Sequence, residues 1–423
     1  MAGRVSDFSS SNQLMQERSA ALALPASRKQ TRVSDQDGFE RNATDHDAVV
    51  SGSLGDRADA GHRRSVGGRF VEQRFRGRGA TINPSGRFEP ISHHIFEDGW
   101  QTLDELPPFK TEVTEERPRS IITTNKSPDI SFDRSINPYR GCEHGCIYCF
   151  ARPSHAYMGL SSGLDFESKL FAKPNAGRLL KAELSKKGYK PRTIAIGTNT
   201  DPYQPVEKER RITREILEVL EAADHPVAIV TKSALVTRDI DILSRMAEKN
   251  LVRVALSVTT MDRKLARAME PRASTPALRL KAIHDLAHAG IPASVMIAPV
   301  IPALNDHEIE RILDSARGAG ATGAGYILLR LPHEVSPLFR DWLLQHYPDR
   351  YRHVMNVLRS MRGGKDYDAE WGKRMRGQGP YAMQIGRRFE IAAHKLGFNE
   401  NSIPLRTDLF SPPEGAEKQL ALF

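Results

Sequence analysis

Short apolar runs rich in β-branched residues recur along the middle of the chain. They alternate with segments in which apolar residues fall at helical spacing. Such runs, bounded by polar residues, predict buried strands. The predicted strands occupy residues 193–197, 227–231, 252–258, 293–299 and 326–330. The helical pattern between them is carried by Ile212, Ile216, Val219 and Leu220, by Ile240, Leu243 and Met246, and by Leu278, Ala282, Leu286 and Ala289.

This alternation of strands and helices predicts a parallel sheet with right-handed crossovers. A further strand before Cys142 brings the count to about six βα units. We therefore expect an α/β fold that forms an open partial (β/α)6 barrel rather than a closed eightfold one. Another helix is expected to begin at Asn305, where Glu308 would complete an N-terminal capping box.

The rest of the chain differs from this core, which spans residues 134–335. Residues 1–80 are rich in Ser, Gly, Asp and Arg and lack apolar periodicity, so they predict a disordered polar and basic tail. Residues 81–133 predict a lead-in segment punctuated by prolines. Residues 336–400 predict a basic helical extension, and residues 401–423 predict a flexible tail.

Charge narrows the range of partners. The 423-residue chain has a formal net charge of +9, which favours a polyanionic partner such as nucleic acid. A basic surface without such a partner explains the charge equally well. No run of about 18 apolar residues is present, and the N-terminus has no apolar signal segment, so we expect a cytoplasmic protein.

The three cysteines of the chain all fall within eight positions, at Cys142, Cys146 and Cys149. A disulfide scaffold would spread its cysteines, so a tight group of reduced thiols predicts a metal or cluster site. Three thiolates at these spacings can hold three corners of a cubane iron–sulfur cluster and leave the fourth iron open. A zinc site completed by His144 or His155 is the alternative.

The spacing C-x-x-x-C-x-x-C, with Tyr148 just before the last cysteine, resembles the signature of the radical S-adenosylmethionine (radical SAM) superfamily. The segments NPYRGCEHGCIYCFAR (137–152) and GTNTDPYQPVE (197–207) are similar to the branch related to spore photoproduct lyase, a DNA-repair enzyme. The resemblance covers about residues 134–335 and implies a partial barrel of the radical SAM type.

The same resemblance implies the cofactors. Cys142, Cys146 and Cys149 would hold a 4Fe–4S cluster, and its open iron would chelate S-adenosylmethionine (SAM). One electron from a reductant such as flavodoxin or ferredoxin would cleave SAM to methionine and a 5′-deoxyadenosyl radical, which abstracts hydrogen from the substrate. Tyr148, within the motif, is expected to contact the cofactor.

Further cofactor contacts are expected at the carboxyl ends of the strands, where barrels bind ligands. This superfamily often has a Gly-Gly-Glu motif after the second strand, but here the sequence departs from it. In its place we expect contacts from Gly197, Thr198, Asn199, Thr200 and Asp201, although an Asx-type turn would also explain this segment.

Four residues at or after two later strands add candidates. Ser257 and Thr259 are placed for the ribose or the carboxylate, unless they only cap the strand. Arg272 could bind the methionyl carboxylate or pair with Glu270. Ala298 falls where the family typically stacks adenine.

Residues near the cluster motif are candidates for catalysis. His155 and Tyr157 lie just past the motif and could face the substrate, although a core or surface position is the commoner fate of a histidine. Spore photoproduct lyases use an additional cysteine as hydrogen donor, and this chain has none. If the protein quenches a radical, a tyrosine such as Tyr139, Tyr157 or Tyr203 would have to do so.

The function expected from these features is a radical SAM enzyme acting on nucleic acid, in DNA repair or modification with lyase-like chemistry. A radical enzyme on a small molecule or peptide, or a non-catalytic Fe–S binding protein, remains an alternative. The chain ends in Gln419, Leu420, Ala421, Leu422 and Phe423, which resembles the peptide by which bacterial repair proteins bind the DNA polymerase sliding clamp. Docking of these residues on their own domain is the other interpretation.

Overall fold

The computed structural model describes residues 77–88, 110–400 and 403–413. Within these ranges the chain forms ten strands and eleven α-helices. The strands are β1 (Glu112–Glu115), β2 (Ile122–Thr124), β3 (Arg134–Ile136), β4 (Tyr139–Arg140), β5 (Lys169–Ala172), β6 (Ile194–Ile196), β7 (Val227–Thr231), β8 (Val252–Ser257), β9 (Ala293–Val300) and β10 (Gly323–Leu328).

The helices connect the strands of the core and then continue beyond the last one. They are α1 (Leu164–Ser168), α2 (Ala176–Leu184), α3 (Glu207–Arg210), α4 (Ile212–Ala222), α5 (Ile240–Glu248), α6 (Arg263–Met269), α7 (Pro276–His288), α8 (Ile309–Gly318), α9 (Val335–His346), α10 (Tyr351–Ser360) and α11 (Gly379–Lys395). Short 3-10 helices cover Arg152–Met158, Ala234–Asp239, Asp306–Glu308 and Pro348–Arg350. None of the helices in the described ranges has the length and apolar character needed to cross a membrane.

Seven strands form the main sheet in the order β10-β9-β8-β7-β6-β3-β2. Six of these strands pair in parallel, namely β3, β6, β7, β8, β9 and β10, and β2 adds an antiparallel edge strand. Strands β2 and β10 do not pair with each other, so the described sheet is open. The six parallel strands confirm the predicted open (β/α)6 architecture. A small second sheet, in the order β1-β5-β4, lies beside the first strands of the core.

Burial alternates along β7, β8 and β9, as expected when the two faces of a sheet have different surroundings. One face carries fully buried aliphatic side chains, each of which contributes about 1.5–3 kcal/mol to folding. They are Val227, Ile229, Val252, Val254, Leu256, Val295 and Ile297. Helices α5, α7 and α8 pack against β8 and β9, so this face lies under the helices.

The other face of these strands is lined by small, partly exposed residues. The parallel register places Val230, Ala255 and Ser294 in one row, with Gly323 beside Ser294. A Cβ atom at Gly323 would lie 2.4 Å from the Ser294 hydroxyl oxygen, so a side chain there would displace the serine hydroxyl. These positions of the inner face carry small, partly exposed side chains.

The predicted strand positions are confirmed to within about three residues. The largest shift is at β10, which begins at Gly323 although the apolar run starts at Tyr326. Glycine is a poor strand former by propensity, so Gly323 and Gly325 gave no strand signal. Pairing with β9 overrides that preference.

The predicted capping box at Asn305 is wrong. The Asn305 side chain instead donates to the carbonyl oxygens of Thr259 at 2.7 Å and Pro299 at 3.0 Å. Glu308 accepts hydrogen bonds from the Thr260 hydroxyl and, at 3.1 Å, from the Met261 N–H. Both polar side chains therefore brace the carboxyl ends of β8 and β9, and α8 begins after them.

The segment after residue 335 is helical, as predicted, but it packs onto the core. The Arg362 guanidinium is 1% exposed and donates to the carbonyl oxygens of Leu329, Lys373 and Arg374 at 2.8–2.9 Å. The Leu328 N–H donates to the Met375 carbonyl oxygen at 2.9 Å. The loop before α11 thus extends along the end of β10.

Both predicted tails include ordered residues, which corrects those predictions in part. The Arg406 and Ser411 N–H groups donate at 3.0 Å to the carbonyl oxygens of Asn250 and Ala223, so residues 403–413 lie on the core. Ala80, predicted in the disordered tail, is fully buried. The clamp-like peptide Gln419–Phe423 and residues 1–76 lie outside the described residues.

Candidate active site

The loop that follows β4 carries all three cysteines. Cys142 and Cys146 are 7% and 8% exposed, Cys149 is partly exposed, and all three are free thiols. The loop coils tightly, because the Gly145 and Cys149 N–H groups donate to the carbonyl oxygens of Cys142 and Cys146. Gly141 (φ 74°) and Gly145 (φ 65°) have left-handed backbone conformations, which glycine adopts without strain.

A buried ion pair supports this loop. Arg152 and Glu167 are both 0% exposed and pair at 2.5 Å. Arg152 also donates to the carbonyl oxygen of Cys146 at 2.9 Å and to that of Gly145 at 3.2 Å. Arg152 therefore fixes the backbone that carries the middle cysteine. Sequence reasoning missed this role, since no pattern links Arg152 to Glu167.

A second brace holds the start of the loop. The fully buried Gln204 accepts from the Glu143 N–H at 2.8 Å and donates to the Gly141 carbonyl oxygen at 3.2 Å. The segment after β6 thus fixes the backbone on both sides of Cys142.

The three thiols fit a cubane cluster better than a single metal ion. Burial raises the pKa of Cys146 to about 12 and that of Cys142 well above its ordinary value, so both thiolates need a strong positive partner. In the described ranges no three His, Cys, Asp or Glu side chains surround one point, as one ion would require. Thiolates of a cubane bind three different irons and need not converge.

The histidines considered as zinc ligands have other partners. The Nδ1 atom of His144 lies 3.3 Å from the Asp201 carboxylate, and the Nε2 atom of His155 lies 3.0 Å from the Lys169 carbonyl oxygen. The buried Nδ1 atom of His155 has no hydrogen-bond partner, but neither histidine belongs to a group of three or more metal-ligating side chains in the described residues.

Asp201, expected at the cofactor, is turned into the protein. Its carboxylate accepts from the Thr231 hydroxyl at 2.6 Å, the Lys232 N–H at 2.8 Å and the Tyr203 N–H at 2.9 Å. Despite burial, which would raise it, the neighbouring His144 and these hydrogen bonds lower the pKa of Asp201 to about 2. Asp201 therefore joins the ends of β6 and β7 to the cysteine loop.

The rest of the segment after β6 divides in two. Thr200 is 3% exposed and donates to the Tyr139 carbonyl oxygen at 3.0 Å, so it is also structural. Gly197 and Thr198 are partly exposed and Asn199 is exposed. Asn137, which sequence reasoning missed, accepts from the Asn199 N–H at 3.1 Å. Only the first three residues of this segment are available to a ligand.

A buried network occupies the other side of the cysteine loop. The Thr259 hydroxyl donates to Glu270 at 2.5 Å, and the Tyr148 hydroxyl and the Arg279 guanidinium also bind Glu270. Arg279 further donates to the Ser257 carbonyl oxygen at 2.9 Å. The hydroxyl groups of Tyr148 and Thr259 therefore already bind Glu270 and are not free to contact the cofactor.

Arg272 does not pair with Glu270, one of its two expected partners, and its contact with the methionyl carboxylate stays a prediction. Its guanidinium lies 2.9 Å from Glu143 and 3.3 Å from the Thr111 hydroxyl, while Glu270 pairs with Arg279 instead. Sequence reasoning considered Arg272, two residues from Glu270, and missed Arg279, which lies nine residues from it on α7.

One expected position and one new one are partly exposed at the strand ends, and a second expected position is buried. Ala298 is partly exposed at the end of β9, whereas Ser257 is 3% exposed and its hydroxyl forms no hydrogen bond with any described residue. Lys232, after β7, was not foreseen. Its ammonium lies 5.7 Å from the centroid of the Tyr148 ring and has no carboxylate partner in the described part of the chain.

Comparison with known proteins identifies this arrangement. The model of the radical SAM superfamily matches residues 136–316. An uncharacterised protein of Mycobacterium tuberculosis is 37% identical over 238 residues, which are 54% of this chain and 70% of that protein. The chain belongs to the radical SAM superfamily. An uncharacterised protein of Methanocaldococcus jannaschii is 28% identical over 58% of this chain and 88% of its own length.

The fold is also similar to that of a radical SAM enzyme of known structure. Spore photoproduct lyase complexed with dinucleoside spore photoproduct superposes with a TM-score of 0.50 at 16% identity, over 68% of this chain and 80% of that one. Radical SAM enzymes use a 4Fe–4S cluster and SAM, and the chain is an enzyme of this type.

The three residues predicted to be catalytic differ widely in their exposure to solvent. His155 is fully buried, and burial lowers its pKa. Tyr157 is 72% exposed and stacks on Phe88 at 5.1 Å. Tyr203 is 1% exposed, with the Arg238 guanidinium 5.8 Å from its ring centroid. His155 and Tyr203 are thus buried side chains and Tyr157 is an exposed one, and their catalytic roles stay predictions.

Proposed function

We propose that Cys142, Cys146 and Cys149 hold the 4Fe–4S cluster of this radical SAM enzyme and that its substrate is nucleic acid. The observation that carries the cluster assignment is the position of three free thiols on one coiled loop at the end of β4, beside the carboxyl ends of the parallel strands. When bound, the cluster and SAM supply one-electron reductive cleavage of a carbon–sulfur bond and a carbon-centred radical.

The chain's own residues would bind and orient SAM at the strand ends. Lys232 is placed to pair with the methionyl carboxylate, since it is a cation without a carboxylate partner among the described residues. Thr198 and Asn199 would offer oxygens to the methionyl amine. Ser257 would donate to the ribose, and Ala298 would leave room for adenine. Tyr148 would position Lys232 through its ring.

A nucleic-acid substrate is supported by charge and by likeness of fold. The chain has a net charge of +9. Trp371 is 59% exposed, and an exposed aromatic ring can stack on a base of single-stranded nucleic acid. The solved structure with a similar fold contains a dinucleoside lesion. DNA repair or modification is therefore our preferred activity.

Two partners follow from this proposal. The enzyme would receive its electron from a small reductant such as flavodoxin or ferredoxin. The terminal Gln419, Leu420, Leu422 and Phe423 would bind a bacterial sliding clamp, which would raise the concentration of enzyme at DNA. A peptide covering residues 411–423 should bind purified clamp at least tenfold more tightly than the same peptide with Gln419, Leu422 and Phe423 changed to Ala, about 1.4 kcal/mol. Equal binding would remove the clamp from the proposal.

The test of the radical function is anaerobic. The purified chain should contain about four irons, and with dithionite and SAM it should release 5′-deoxyadenosine. C142S, C146S and C149S should each lose iron and product, whereas R388Q, which alters a surface ion pair on α11, should retain both. A protein that keeps four irons but releases no 5′-deoxyadenosine would be a non-catalytic Fe–S binding protein.

The test of the substrate class is binding. Affinity for a single-stranded DNA oligonucleotide should fall steeply with salt, by about 0.7 log units per log unit of salt for each phosphate contacted. Absence of salt-dependent binding to single-stranded or duplex DNA would favour a small molecule or peptide as substrate.

A further inference from the structure

Arg330 lies two residues after Leu328, the last residue of β10, which is the last parallel strand of the barrel. The carboxyl ends of such strands are where barrels bind their ligands. Its guanidinium carbon lies 4.2 Å from the centroid of the Phe150 ring, within the range of a cation–π contact. Phe150 directly follows Cys149 in the chain and is 41% exposed. Arg330 therefore lies between the last strand and the end of the cysteine loop.

The arginines around Arg330 already have acceptors. Arg362 donates to three backbone carbonyl groups. Arg374 pairs with Asp129 and donates to the Ser127 hydroxyl at 2.5 Å. Asp129 also accepts from the Gly372 N–H at 2.7 Å, so its carboxylate is fully engaged.

Arg330 differs from these neighbours. Across the described ranges no oxygen accepts a hydrogen bond from its guanidinium, and no carboxylate lies within ion-pair distance. The Nε atom of Arg362 is fully buried and has no hydrogen-bond partner, but no nitrogen of Arg330 is in that situation. Arg330 therefore presents its donors to an accessible space.

The surroundings of Arg330 affect its pKa in both directions, and burial has the largest effect. Burial lowers the pKa of Arg330, and the charge of Arg374 lowers it further, while Tyr367, Cys149 and Asp129 oppose that change. A partly buried guanidinium without a counter-charge is unfavourable unless a ligand supplies one.

We propose that Arg330, held against the ring of Phe150, binds a phosphodiester group of the substrate. This inference rests on the proposed nucleic-acid function and extends it by naming the group recognised. A planar guanidinium fork matches two phosphate oxygens, and its fixed orientation on an aromatic ring favours that geometry over the less directional contact of a lysine.

The position of Arg330 also indicates which nucleotide it binds. A nucleotide within a duplex cannot reach the recess of a barrel, so the target must be single-stranded or turned out of the stack. Arg330 lies on the same side as Cys149, and it would hold the backbone of that nucleotide at the mouth. Trp371 is exposed in the loop whose backbone Arg362 binds at Lys373 and Arg374. Its ring offers a surface on which an adjacent base can stack.

The test uses the reconstituted full chain without oxygen. Binding of a single-stranded oligonucleotide is measured against salt for wild type, R330Q, R330K, F150L and R388Q. We expect R330Q to weaken binding about tenfold and to lower the salt slope by about 0.7, which corresponds to one phosphate contact. R330K and F150L should lose less affinity, because each keeps the positive charge. The matched control R388Q removes one charge of the Arg388–Glu310 pair and should bind like wild type.

The outcomes separate this inference from the broader proposal. If wild type binds DNA and R330Q binds equally well with the same slope, the phosphate site is overturned and the nucleic-acid function stands. If R330Q loses SAM affinity as much as DNA affinity, the anion belongs to the cofactor and the inference is also overturned.

If wild type does not bind DNA, the nucleic-acid function fails, and binding of a nucleoside monophosphate and of inorganic phosphate then decides about Arg330. Loss of that binding in R330Q but not in R388Q supports a phosphate site for a small substrate. Equal binding by the two variants overturns it.

Discussion

The buried pair Arg152–Glu167 allows a quantitative prediction about the cysteine loop. Glu167 accepts three charge-compensating hydrogen bonds, from Arg152 at 2.5 Å and from the Gly79 and Ala80 N–H groups at 2.8 Å. E167A would leave the Arg152 guanidinium buried without a counter-ion. Removal of one partner from a buried ion pair costs about 3–5 kcal/mol.

That loss is a large share of the stability of a typical protein, which is about 5–15 kcal/mol. We expect E167A to lower the free energy of unfolding of the apoprotein by about 3–5 kcal/mol in urea titrations followed by circular dichroism. E167Q should lose less, because its amide oxygen still accepts from one N–H group. The reconstituted variant should also retain less iron, since Arg152 holds the Cys146 carbonyl oxygen.

The matched control is E116A. Glu116 forms two hydrogen bonds of 2.8 Å with Arg140 nearby, but this pair is exposed, with Arg140 46% accessible. Exposed pairs contribute at most about 1 kcal/mol. If E167A loses no more stability than E116A, the buried pair does not support the loop as argued.

Three further predictions follow from other contacts. A chain beginning at residue 77 should unfold at the same urea concentration as one beginning at residue 65. A chain beginning at residue 89 should lose stability as E167A does, because it lacks Gly79 and Ala80, whose N–H groups bind Glu167. Equal urea midpoints for all three chains would contradict this prediction. Burial lowers the pKa of His225 from 6.5 to about 4, so the protein takes up a proton when it unfolds between these pH values. The free energy of unfolding should be highest above pH 6.5 and fall by about 3 kcal/mol as the pH falls to 4. H225Q should lack this pH dependence. K232M should raise the dissociation constant of SAM at least tenfold by calorimetry while K249M, altered in an exposed pair with Asp224, should not, and similar values would remove Lys232 from the cofactor site.

The sheet was predictable because its strands are continuous apolar runs and its helices keep regular spacing. Val227–Thr231, for instance, was predicted with the observed bounds. The cysteine motif was equally informative, because few other functions place three thiols within eight positions. Both signals are local in sequence, so no knowledge of the folded structure was needed to detect them.

The roles of polar residues at the strand ends were harder to predict. Thr200, Asp201 and Thr259 have the same chemistry as ligand-binding residues, but their partners lie in other segments of the chain. Asp201 accepts from Thr231, 30 residues away, and Thr200 donates to the Tyr139 carbonyl oxygen, 61 residues away. A sequence alone does not show which hydroxyl or carboxylate is already satisfied. The same limitation concealed Arg279, which takes the place of Arg272 in binding Glu270.

Satisfaction of hydrogen bonds therefore separates two kinds of polar residue at this barrel mouth. Asp201, Glu270 and Asn305 each bind several protein groups, and their burial is favourable only because those partners are present. Lys232 and Arg330 are cations just after the carboxyl ends of β7 and β10, and in the described residues neither has a carboxylate partner. Both side chains are partly exposed, so each is available to an anionic ligand, as the proposals for SAM and for the phosphodiester group require. Since Lys232 lies after β7 and Arg330 after β10, two anionic groups would be bound at separate positions, one from the cofactor and one from the substrate.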